Sequence, residues 1–134
     1  MRPFVFSLME WLEAECIELD MPKPALEWLE PTGYSIAVVP VDAPAVEKSY
    51  INGSVQERMQ LEVIAQSDVA DRLDVLEDMN RLLRAFHGLV GRSLSGDGDW
   101  ISVRKVEATT PSLREQTEGL VLRYGFSVTI VYRR

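Results

Sequence analysis

At 134 residues, with 46% hydrophobic and 26% charged side chains, the chain has the make-up of one domain, 1–134, that folds in water and buries a core without staples. Its 21 acids and 14 bases leave a net charge of −7, concentrated early: residues 1–30 hold seven acids against Arg2 and Lys23. That balance argues against tight binding to duplex DNA, which needs a basic face to release counterions, and a lone cysteine, Cys16, excludes an intrachain disulfide or a two-cysteine redox pair and fits a reducing compartment.

The stretch RPFVFSLMEWLEAECIEL, residues 2–19, mixes apolar residues with Glu10, Glu13, Glu15 and Glu18, so it carries neither a secretory core nor a membrane span. Val5, Leu8, Leu12, Ile17 and Leu19 recur at roughly helical spacing and predict an acidic helix over 4–19. Cys16 sits on it as a small buried hydrophobe, with no activating base beside it. Pro22 and Pro24 forbid continuation, while Ala25, Leu26, Trp28 and Leu29 allow a short helical turn before Pro31 and Gly33. Trp11 and Trp28 are expected in the core.

Residues 34–41, YSIAVVPV, follow a Pro-Thr-Gly turn and are rich in aromatic and β-branched side chains, the signature of a strand. Pro40 lacks a ladder donor and suggests an edge or the strand's end. After a loop, VDAPAVEKS, comes Asn52-Gly53, the strongest short turn signal in the chain, since a type I′ turn needs positive φ at both central residues. Two readings stay open: a tight hairpin flanked by Tyr50 and Ser54, or a loop over 43–54 that feeds one long strand. From Arg58, the residues Met59, Leu61, Val63 and Ala65 alternate with Arg58, Gln60, Glu62 and Gln66, with Ile64 as the exception, which predicts a strand with one wet face.

Ser67-Asp68 offers an N-cap and Asp71 an acid in the first turn of the next element. Val69, Leu73, Leu76, Met79, Leu83 and Phe86 then follow at spacings of three and four, predicting an amphipathic helix that ends near His87-Gly88. SLSGDGD, 93–99, reads as a flexible connection. A strand is expected over 100–106, a polar loop around Pro111, and a long strand over 119–132 with Leu120, Leu122, Tyr124, Phe126, Val128, Ile130 and Tyr132 on one face. The fold class that results is α+β: a mainly antiparallel sheet of about four strands packed against amphipathic helices.

Chemistry is sparse. His87 is the one histidine, placed to cap a helix end, and no serine or cysteine is arranged with it as a nucleophile. One histidine and one cysteine leave carboxylates as the metal ligands available. Asp97 and Asp99 in SGDGD look superficially like a calcium loop, yet Val106 occupies the position where its glutamate belongs. The glycines at 88, 91, 96 and 98 match neither nucleotide-binding motif. Catalytic, metal and cofactor-binding residues are therefore all expected to be absent. A pocket formed by Trp100, Tyr124 and Tyr132 would suit a small bacterial ligand-binding domain, although core packing explains those aromatics more simply.

The acidic first helix, the YSIAVVP strand, SYINGSVQERMQLEVIAQS, the amphipathic helix and a closing LRYGFSVTIVYRR strand together resemble the tail-terminator proteins of long-tailed bacteriophages, often labelled minor capsid proteins. The resemblance covers about residues 30–134. Its most characteristic piece is Tyr50-Ile51-Asn52-Gly53-Ser54, where the family tends to show Tyr-Ile-Asp-Gly-Ser; Asn52 departs from the pattern but keeps the turn chemistry. The resemblance implies a non-enzymatic structural protein of the virion, made in the bacterial cytoplasm. It would form a ring, expected as a hexamer, that caps the head-proximal end of the tail tube, ends its polymerisation and takes part in head–tail joining during virus assembly. Its partners would be the tail tube protein and a head-completion protein, with DNA passing through an acidic channel without tight binding. Glu47, Tyr50, Asn52, Gly53, Asp97 and Asp99 are the candidate interface or lumen residues. Another head–tail adaptor or a tube protein is the nearest alternative.

Overall fold

A computed structural model describes residues 3–29, 33–95, 100–116 and 121–134. Helix α1, Phe4–Glu18, leads into a two-residue strand β1, Ala25–Leu26, then β2, Ser35–Pro40, β3, Ala45–Ser49, and the long β4, Val55–Asp68. A single 3-10 turn, Val69–Asp71, passes into α2, Arg72–His87. The remaining strands are β5, Ser93–Ser95, β6, Trp100–Ala108, β7, Ser112–Gln116, and β8, Val121–Arg133. The described strands make one eight-stranded sheet in the order β1-β2-β4-β8-β6-β5, with β3 also on β4 and β7 also on β8.

The two longest strands, β4 and β8, form the spine, antiparallel from Gln56 opposite Arg133 to Asp68 opposite Val121. Each is flanked by two shorter strands laid end to end. Along β4 these are β3, with Ala45 opposite Arg58, and β2, with Pro40 opposite Leu61. Along β8 they are β6, with Ala108 opposite Val128, and β7, with Ser112 opposite Gly125. The α+β class stands, and the sheet is mainly antiparallel but has twice the expected strand number. The strands absent from the sequence reading are those too short or too exposed to show a period. β1 replaces the expected helical turn at 25–29 by pairing in parallel with Ala37 and Val38, β3 takes the second half of the expected loop VDAPAVEKS by pairing with the start of β4, β5 takes the first part of the expected connection at 93–99, and β7 takes the expected polar loop.

Alternation assigns the faces. Met59, Leu61, Val63 and Ala65 on β4, with Phe126, Val128, Ile130 and Tyr132 on β8, share the face that both helices cover, and all are buried. Each large side chain so buried contributes about 1.5–3 kcal/mol. Helix α2 lies on β4, β6 and β8, and α1 beside α2 and β5. The contacts between the layers are aromatic: Phe4 stacks on Tyr132 at 3.7 Å between ring centroids, and Trp11, Phe86 and Phe126 follow one another edge to face at 5.2 and 5.9 Å.

The helices bury faces rotated from those expected. In α1 the buried set is Phe4, Ser7, Leu8, Met9, Leu12 and Cys16, with Ile17 exposed. In α2 it is Val75, Met79, Leu82 and Phe86, at steps of four, three and four, while Leu73 is 69% exposed. The strip through Leu73 and Leu76 is also apolar, and the choice between two overlapping strips is made by how the helix meets the sheet. Ser67 and Asp68 continue β4 instead of capping α2, and the Ser67 hydroxyl donates to the Asp68 carbonyl at 2.7 Å. Trp11 packs against the core as expected, but Trp28 is 61% exposed, two residues past β1 and directly after Glu27, whose φ is positive.

Candidate functional site

The face of the sheet opposite the helices is a polar surface assembled strand by strand. Ser127 donates its hydroxyl to Glu62 at 2.8 Å, with the Arg114 guanidinium 3.7 Å from the same carboxylate. Arg123 donates to Gln66 at 3.1 Å and to Glu115 at 2.7 Å. Lys105 pairs with Glu107 at 2.7 Å on exposed ground, an arrangement that raises the lysine pKa and lowers that of the glutamate. Gly125 faces the outward Ile64, and it has little choice: a Cβ there would lie 3.0 Å from the Val63 carbonyl and 3.2 Å from the Arg114 side chain.

At one end of this sheet the residues 50–54 resolve the two readings left open by the sequence in favour of the hairpin. The Tyr50 carbonyl accepts from Gly53 N–H at 3.0 Å, and Tyr50 N–H donates to the Ser54 carbonyl at 2.9 Å. Gly53 has φ +88 while Asn52 is not among the residues with positive φ. The turn is thus type I closed by a glycine bulge, not type I′, and only glycine meets its left-handed requirement without strain. The Asn52 Oδ1 accepts from the Ser54 N–H at 3.1 Å and from its hydroxyl at 2.7 Å, a service that an aspartate oxygen would also supply.

The last turn of β8 locks the hairpin. Arg133 donates to the Ser54 hydroxyl oxygen at 3.0 Å and lays its guanidinium over the Tyr50 ring at 3.9 Å. Beside it, the Tyr132 hydroxyl donates to Glu57 at 2.9 Å, and Arg134 lies 3.8 Å from that carboxylate. Burial, reinforced by Glu57, pushes the Tyr132 hydroxyl well above the usual phenol range. Glu47 is on the polar face, accepting from Gln56 at 3.2 Å and pairing with Arg58 at 3.7 Å.

Four of the six candidate residues therefore gather at the hairpin: Glu47, Tyr50, Asn52 and Gly53. Asp97 and Asp99 lie outside the described residues. The sequence reading did not assign Ile51, fully exposed at the tip, or Val46 to this site, and it placed their exposed companion Trp100 in an aromatic pocket instead. Trp100, 71% exposed, lines a cleft of about 470 Å³ with Val46, Val55 and Glu57. A signal for Ile51 was present: an apolar side chain inside a four-residue turn has no route to the core. No such signal existed for Arg133, whose partners are about eighty positions earlier.

The aromatic trio does not form one pocket. Tyr132 is buried under Phe4, Trp100 is exposed, and Tyr124 stands eight residues up β8, about 26 Å away. Among the described residues no three His, Cys, Asp or Glu side chains converge as metal ligands, and no helix is long and apolar enough to cross a membrane. Cys16 is fully buried, and burial, then Glu15 and Glu13, push its thiol up to about 11. His87 is exposed at the end of α2. No family model matches the chain, and no curated protein matches it significantly.

Proposed function

We propose that the chain is a structural subunit of a phage virion, of the tail-terminator kind, that associates with copies of itself into a ring at the head-proximal end of the tail tube. The observation that carries this reading is the Tyr50–Ser54 hairpin. The segment on which the family resemblance rests is a rigid, outward-pointing tip held by Arg133, and it presents Ile51 to solvent rather than to the core. A rigid tip bearing an apolar residue suits association, because little conformational freedom remains to be lost on binding. The polar face of the sheet, with its alternating acids and bases, suits a neighbouring protein or a wet channel wall, and the net charge of −7 on the chain as a whole disfavours tight binding of DNA. Heterologous contacts between such subunits close into a ring when each step rotates by the same fraction of a turn.

Sedimentation of the purified chain across a wide concentration range, with negative-stain microscopy of the same samples, tests the reading. The expected outcome is a concentration-dependent shift from monomer to a closed six-membered ring. Strict monomers at every concentration that also fail to cap tail tubes of the parent phage would refute it. Growth into long open tubes would reassign the chain to the tube itself.

A further inference from the structure

The hairpin tip has a counterpart elsewhere on the molecule. Between α1 and β1 runs an apolar groove of about 470 Å³, lined by Phe6, Met9, Pro24, Ala25 and Leu26 and bridged at one side by Lys23 and Glu13, 3.9 Å apart. Phe6 and Leu26 are both exposed although they are large and apolar. The tip and the groove belong to different ends of the sheet: Leu26 pairs with Val38 and Val38 with Val63, which sets the groove floor about 26 Å along β4 from Val55 at the hairpin base. With its turn held by Arg133, a copy has no means of placing Ile51 in its own groove.

The charges divide the same way. Helix α1, which forms one wall of the groove, and its exit carry Glu10, Glu13, Glu15, Glu18 and Asp20 against Lys23, spread around the helix with Glu13 in the groove lining itself. Around the tip stand Arg133 and Arg134 against Glu57, with Lys48 next to the turn on β3. One surface is acidic with an apolar groove, the other basic with an apolar knob, and both are on every copy.

Resting on the reading of the chain as a self-associating subunit, we infer that the interface joins unlike surfaces: the β3–β4 hairpin of one copy seats Ile51 in the groove between α1 and β1 of the next. Each copy then offers one knob and one socket, the condition for a heterologous contact that propagates around a ring. The acidic and basic surroundings orient the encounter, so association weakens as salt rises.

Cysteine trapping identifies the contact directly, since the buried native thiol of Cys16 does not compete. Mixed Ile51→Cys and Phe6→Cys chains under mild oxidation are expected to give the 51–6 cross-link at least tenfold faster than either 51–51 or 6–6. Equal rates for like pairs, or no cross-link at concentrations where the wild type associates, overturn the contact. In parallel, Ile51→Asp is expected to raise the dissociation constant of association at least tenfold with an unchanged circular dichroism spectrum, both residues being at the surface. Wild-type rings that persist in Ile51→Asp and Phe6→Asp reject this contact and leave the ring intact. A wild type that never forms rings counts against the subunit reading itself, whatever the cross-linking shows about paired copies.

Discussion

Cys16 and the tyrosines show how much a single side chain's surroundings decide. Cys16 is flanked by glutamates on α1 and faces the core, so its thiol stays protonated up to about 11 against an ordinary 9.0. Tyr34, half-buried and donating to Asp78 at 3.0 Å, and Tyr132, buried and donating to Glu57, have their hydroxyls raised for the same reason, burial first and the carboxylate second. In the unfolded chain all three lose their protons at lower pH than in the folded one. The stability they contribute is therefore complete below about pH 9 and falls as pH rises through the interval from 9 to 11 for Cys16, and further for the tyrosines. Urea unfolding midpoints measured from pH 8 to 11 should decline, and Cys16→Ala should remove a part of the decline worth on the order of 2 kcal/mol. A flat profile in the wild type contradicts this account. In the sequence, Cys16 was legible as a buried hydrophobe because its neighbours are helical and no base is near. The exposure of Trp28, much larger and also apolar, was not legible, because the expected helical turn there gives way to β1, which joins a strand whose partners lie 12 positions away.

Helix α2 illustrates the same division at the level of an element. Its existence and its end near His87 follow from the periodic residues, and the structure places both as expected. Its orientation does not follow, since the strip Leu73, Leu76, Leu83 and the strip Val75, Met79, Leu82, Phe86 are both apolar. Contact with β4, β6 and β8 selects the second. Leu82→Ala is accordingly expected to cost about 2–5 kcal/mol, through lost burial and a residual cavity, and Leu73→Ala no more than about 0.5 kcal/mol. Chemical denaturation of the two variants checks this, and equal losses would mean that the helix is rotated from the position described. The strands divide by length. β4 and β8 each carry a long alternation, so both were readable, whereas β1, β5 and β7 are held by main-chain pairing with strands already present and needed no pattern of their own.

For the molecule as a whole, both helices close over one face of a continuous sheet, and the described buried apolar residues form one core. Folding should therefore be a single cooperative event: calorimetry is expected to show one transition with calorimetric and van't Hoff enthalpies in agreement, about 90 kcal/mol at 60 °C for a chain of this length. Two resolved transitions would show that the β3–β4 end melts apart from the rest. The same architecture leaves the far face of the sheet, the hairpin tip and the α1–β1 groove uncovered, and the proposed association draws on the last two. This is where the candidate site was only half legible. The Tyr50–Ser54 segment announced a turn through Asn52 and Gly53, but its coupling to Arg133 joins residues on two different strands whose relative register is decided by the β4–β8 ladder.

By itself the sequence determined the class of fold, the two helices, the two spine strands and the buried state of their alternating residues, because helical and strand periods are local properties that any short window displays. Only the tertiary structure decided the number of strands, the face that α2 buries, the outward turn of Trp28 and the apposition of Tyr50, Ser54 and Arg133. Each of these depends on which distant segments lie side by side, and no local period encodes a neighbour.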